Sequence, residues 1–197
     1  IGSDALQGNV SGASNVAVGN DALKSNTASG NVGVGNQALE ANTSGGNNVA
    51  VGFQSLLANT TGGSNVAVGQ GSLDANTEGA YNTALGTDSL TGNTTGDFNT
   101  ALGRAAMQFN TTADNNTAVG RNALYANTTG TSNVAVGSRT LDANTTASYN
   151  TAVGDSALAE NTTGASNTAS GYAALYNNTT ASQNTAFGAE ALETNTT

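Results

Sequence analysis

The chain has 197 residues with no Cys, His, Pro or Trp, 26 Gly, and a net charge of −9 from 13 acidic and four basic residues. The absence of Cys excludes disulfides and thiolate metal sites, and the absence of His removes the commonest general base and transition-metal ligand. So acidic a balance argues against nucleic acid or an anionic membrane as partner, and no apolar stretch approaches the roughly 18 residues of a spanning helix.

The organisation is set by a glycine that recurs at Gly2, Gly19, Gly35, Gly52, Gly69, Gly86, Gly103, Gly120, Gly137, Gly154, Gly171 and Gly188. Every step is 17 residues except Gly19 to Gly35, which is 16. Self-similarity at this scale indicates a solenoid, one short unit stacked on copies of itself. Numbered from its first asparagine, the unit reads Asn-(Val/Thr)-Ala-Val-Gly-x-x-Ala-Leu-x-Ala-Asn-Thr-Thr-Gly-x-x. Position 1 is Asn in all eleven complete starts, position 12 is Asn in all twelve units, and position 9 is Leu except at Met107. The single missing residue falls within Thr27–Gly30, which makes positions 14 to 17 the length-tolerant surface loop.

Along each unit, positions 1 to 5 alternate with the period of a β-strand: Val or Thr at 2 and Val, Leu or Phe at 4 point one way, Asn, Ala and Gly the other. The glycine at position 5 suits a corner. Leu at 9, with Ala at 8, supplies a core anchor, and a second extended segment is expected over positions 9 to 13. Gly, Asn and Thr dominate every unit, which disfavours helix. The fold expected for residues 1–197 is a single all-β parallel β-solenoid of about twelve 17-residue coils, part of a longer chain, rising about 4.8 Å per coil to roughly 55 Å. The asparagines of positions 1 and 12 are expected to stack as ladders, the latter through Asn59, Asn76, Asn93, Asn110, Asn127, Asn144 and Asn161.

Nine of the 13 acids and all four bases, Lys24, Arg104, Arg121 and Arg139, occupy positions 6, 7 or 10, which must face water. Positions 1 to 5 carry no charge in any unit, and a strand uncharged on both faces reads as covered on both. With Val and Leu assigned to the coil interior, the small face of positions 1, 3 and 5 is expected to meet other copies of the chain. A core of two large apolar residues per coil is thin against the cost of ordering the coil, which also points to a homo-oligomer.

Asn48-Val49-Ala50-Val51-Gly52, Asn65-Val66-Ala67-Val68-Gly69 and Asn133-Val134-Ala135-Val136-Gly137 resemble the head-repeat motif of trimeric autotransporter adhesins. The run from Asn116 to Gly130 is similar to repeat regions of bacterial surface proteins and phage tail fibres. The resemblance covers the whole chain, although its repeat exceeds the usual head repeat by the Asn-Thr-Thr-Gly segment. It implies a left-handed β-roll, three chains on one axis, an extracellular location at the cell surface, and attachment to cells or matrix.

No nucleophile–base pair, metal cluster or phosphate loop is present in the repeat pattern, so no enzymatic role and no cofactor or metal are expected. Asp97 and Asp114, both at position 16, are the pair best placed to share an ion, with a solvated loop the plainer reading. Asn-Thr-Thr at Asn59, Asn93, Asn110, Asn127, Asn144, Asn161, Asn178 and Asn195 matches the N-glycosylation motif, but stacked and bonded amides make poor acceptors. Thr61, Thr95, Thr112, Thr129, Thr146, Thr163 and Thr180, at position 14, form a candidate exposed file that Glu78 interrupts. If position 12 also faced outward the two files would make the flat hydroxyl-and-amide grid of an ice-binding solenoid, and a spacer in a filament or tail fibre is the other alternative. Tyr81, Phe98 and Tyr149 share position 17, and Tyr125 and Tyr176 share position 10.

Overall fold

The structure, a computed structural model, describes residues 1–196. Eleven three-residue strands, from β1 (Val16–Val18) to β11 (Thr185–Phe187), form one all-parallel sheet in sequence order, and no helix occurs among the described residues. The chain is a β-solenoid of about ten turns. The first glycine-marked unit enters at its fourth position and contributes turns but no strand. Strand residues pair with the copies 17 positions away, Val49 with Val66 and Ala50 with Ala67, and across the short unit the step becomes 16, Val16 with Val32.

The alternation along the strand is real, but its faces are the reverse of those expected. Ala50, Ala67, Ala84, Ala101, Ala118, Ala135 and Ala152, all at position 3, are fully buried, while Val16, Val18, Leu85 and Val153 on the other face are 39–49% exposed. The cause is the width of the coil. A Cβ added at Gly33, the one position-3 glycine, would lie 3.1 Å from Cγ of Leu23 and 3.2 Å from the carbonyl of Ala38. The leucine of the opposite wall already fills the space, so the strand turns its small residues in and its branched residues out. The face of positions 1, 3 and 5 therefore packs inside its own coil and is no surface for another copy.

The second strand expected over positions 9 to 13 is also absent. Positions 8 and 9 are both buried, as at Ala123 and Leu124, whereas neighbours in a strand face opposite sides. The chain achieves this with left-handed residues at positions 7 and 9, such as Asn122 at φ 56° and Leu124 at φ 51°. A left-handed leucine costs about 1–2 kcal/mol. Full burial of the side chain offsets that, and the Leu124 amide is satisfied by the carbonyl of Thr140 in the next coil at 3.0 Å. Leu23, Leu39, Leu56, Leu73, Leu90, Met107, Leu124, Leu141, Leu158 and Leu175 form a fully buried column against the alanine column.

Candidate functional site

The interior of the rod is held by asparagine. At position 12, each Nδ2 donates to Oδ1 of the preceding copy at 2.7–3.4 Å, from Asn26 on Asn9 to Asn195 on Asn178. It donates its other proton to the carbonyl three residues on, as Asn59 does to Gly62 at 2.9 Å. Asn59, Asn76, Asn93, Asn110, Asn127, Asn144 and Asn161 are all fully buried members of this ladder. Position 1 uses different partners. Oδ1 of Asn48 accepts the backbone N–H of Asn65 at 2.9 Å, and its Nδ2 reaches the carbonyl of Gly62 at 2.9 Å. One carbonyl per coil thus receives both asparagines, bracing the coil from strand to loop. Position 1 stacks through amide–backbone bonds, with only a few weak amide–amide contacts such as Asn99 to Asn82 at 3.2 Å.

This bonding decides two readings of Asn-Thr-Thr. Both amide protons of Asn59 through Asn178 are committed inside the rod, so the folded chain presents no asparagine there for glycosylation. The same burial removes asparagine from any outward grid, and with it half of the surface on which the ice-binding alternative rested. The two threonines then diverge. At position 13 the hydroxyl donates to the carbonyl of the next coil's threonine, as Thr60 does to Thr77 at 3.0 Å. Thr61, Thr95, Thr112, Thr129, Thr146, Thr163 and Thr180, at position 14, are exposed along the rod.

The short unit shows which residue can be lost. Asn26 donates to the carbonyl of Ala28, two residues on rather than three, and Asn15 donates to the same oxygen, each at 2.8 Å. Ala28 therefore fills position 15, and the deletion has removed position 14, the exposed threonine site, while every ladder continues.

The feature that sequence reasoning assigned to the interior is the outward strand face. Position 2 is Val or Thr in all eleven strands, and position 4 is mostly Val, with Leu85, Leu102, Ser170 and Phe187. Neither file carries a charge. Tyr81 and Phe98 flank it at position 17, 59% and 55% exposed, with parallel rings stacked at 5.0 Å.

The acidic side chains sit mainly on the turn wall. Asp97 and Asp114 each accept a backbone N–H of the preceding coil, from Ala80 and from Asp97, at 2.7 Å. They are caps on the stack, and no group of three metal-ligating side chains occurs among the described residues. Burial pushes the Asp74 carboxyl above the usual carboxylate range, and it does the same to Asp142, where the Arg139 guanidinium partly opposes it. The folded state therefore holds these two protons more tightly than the unfolded chain, and its stability rises as pH falls through the interval just above the ordinary carboxylate range. With no histidine to charge, melting temperature is expected to be at least as high at about pH 5 as at about pH 7.5. Calorimetry checks this, and Asp74→Asn should flatten part of the slope.

No protein-family model, no curated protein and no solved structure matches the chain.

Proposed function

We propose that this chain is a non-enzymatic structural segment of an extracellular rod, one that associates with copies of itself along its strand face and presents its other faces for attachment to cells or matrix. The observation that carries the assembly is the uncharged strand face, with Leu85 48%, Val153 41% and Val136 36% exposed on strands inside the stack. An uncharged face of this length, apolar along most of position 4 and along position 2 in the first four strands, marks an interaction site. Eleven strands at about 4.8 Å span roughly 50 Å. With its flanks the face offers on the order of 700 Å² per copy, close to the roughly 800 Å² each partner gives to a stable interface.

The partner that fits is another copy, because a file of side chains repeating at the coil rise is matched along its whole length only by a surface with the same rise. Position 2 is Val in the first four strands and mostly Thr from Thr83 onward. Parallel, in-register copies set threonine hydroxyls against one another and valines against valines. The resemblance to trimeric adhesin heads favours three copies and supports the cell-surface location and the attachment role.

Sedimentation or light scattering tests the assembly. Val119→Arg with Val136→Arg should give a folded chain of lower mass, since both side chains point outward; Arg139→Glu should leave the mass unchanged. Undiminished assembly of the double variant would place the interface elsewhere. Attachment is tested by binding of the intact segment to cells and matrix.

A further inference from the structure

The exposed positions of the coil have not drifted alike. Position 6, on the turn wall, runs through exposed Asn20, Phe53, Gln70, Arg104, Asp155 and Tyr172. Position 14, on the loop wall, is exposed too, yet it carries a hydroxyl in every unit that has the position except at Glu78. The fold does not require this. Glu78 builds the same backbone as Thr61: its N–H donates to the carbonyl of Thr94 at 3.1 Å, as that of Thr61 does to the carbonyl of Thr77 at 3.1 Å. The short unit omits the position, and the asparagine ladder still runs through it, Asn42 donating to Asn26 at 2.7 Å. The threonine at position 13 has a structural reason, because its hydroxyl bonds the next coil, Thr60 to Thr77 and Thr94 to Thr111, each at 3.0 Å. From Thr61 to Thr163 the threonine hydroxyls of position 14 have no hydrogen-bond partner among the described residues.

We propose that the position-14 threonines are O-glycosylation sites, carrying a file of short neutral sugars along the loop wall. A residue held constant in an exposed place, with no bond to make inside the coil, is kept for what its hydroxyl accepts from outside. In the transfer, Oγ1 bonds to the anomeric carbon of a nucleotide-activated sugar. The bond from that carbon to the diphosphate oxygen breaks, the nucleoside diphosphate leaves with the electron pair, and the hydroxyl proton passes to a base of the transferase. This chain need supply only an accessible hydroxyl that is not already bonded. Phosphate fits less well, since each would add about −1.5 to −2 charges at intervals of about 4.8 Å to a chain already at −9. The same spacing keeps the sugars short and sets neighbouring coils in competition. Thr61 and Thr95 have Glu78 between them and stand roughly 10 Å apart, so each has a hydroxyl neighbour on one side only. These two should be the most fully occupied. The file lies off the strand face, and the proposal does not rest on the assembly.

The test is mass spectrometry of the chain isolated from the cells that make it, with fragmentation that keeps sugars on their side chains. Sugar increments should map to position 14, highest at Thr61 and Thr95, and not to position 13. Two variants made in the same cells separate modification from folding. Thr61→Val should lose one sugar and leave the melting temperature unchanged, and Thr61→Ser should keep the sugar. Thr60→Val should keep the sugar and lower the melting temperature by about 2–4 °C, because it removes the bond to Thr77. A chain with no added mass, phosphate in place of sugar, or sugars spread equally over positions 13 and 14 overturns the proposal. A fall in melting temperature for Thr61→Val as large as for Thr60→Val also overturns it, since the fold would then account for the threonine. Sedimentation reports assembly separately, so loss of the sugar file leaves the strand-face reading standing.

Discussion

Replacing Asn127 by Ala is expected to cost about 3–5 kcal/mol of stability, more than removing any surface ion pair in the molecule. The residue is fully buried and makes three bonds: its Nδ2 donates to Asn110 at 3.0 Å and to the carbonyl of Gly130 at 2.9 Å, and its Oδ1 accepts from Asn144 at 2.8 Å. Truncation leaves Oδ1 of Asn110 and one proton of Asn144 without partners in a site closed to water. The carbonyl of Gly130 keeps its bond from Asn116 at 2.9 Å, so the loss is confined to the ladder. Denaturant titration reads the effect. Asn127→Asp separates hydrogen bonding from volume: the side chain keeps its shape, but an ionised carboxylate faces the Asn110 oxygen. That variant should be weakest at neutral pH and regain stability as acid protonates the new carboxyl, since its folded-state pKa is raised. A loss below about 1 kcal/mol for both variants would mean that the ladder is incidental to the fold.

The repeat made most of this architecture legible. Glycine spacing fixed the coil, and invariance at position 12 identified the ladder, because a buried amide bonded on both sides tolerates no substitute. What misled was treating hydrophobicity as the mark of the inside. Position 3 is Ala in every strand but one, where it is Gly33, whereas position 4 ranges over Val, Leu, Ser170 and Phe187. Restriction by volume, not by apolarity, marks the interior of so narrow a coil, and that signal was present in the repeats. The left-handed leucines were not legible. No residue preference announces a leucine at φ 51°, and only the need to bury Ala123 and Leu124 side by side imposes it.

Gly86→Ala is expected to be as damaging as loss of the ladder asparagine, and it tests why the glycine recurs. Gly86 lies at φ +137°, a region that side-chain-bearing residues avoid at a cost of about 1–3 kcal/mol. An added Cβ would stand 2.6 Å from the carbonyl oxygen and 2.7 Å from the carbonyl carbon of Gly103, the corner of the next coil. Backbone cannot give way as a flexible side chain can, so the two corners must separate, at a further cost of about 1–3 kcal/mol. Each coil touches only its neighbours, so a fault here weakens one junction of a one-dimensional stack. Heating should then show two transitions in place of one, with hydrogen exchange fastest in the amides flanking the corner. Gly46→Ala is the control. The nearest atom to its added Cβ is the carbonyl oxygen of Ser29 at 3.3 Å, and Ala80 and Ala165 already occupy the equivalent position. Stability there should change by less than about 1 kcal/mol. Equal tolerance of the two substitutions would show that the corner can open without loss, and that the period is kept by the asparagine ladder alone.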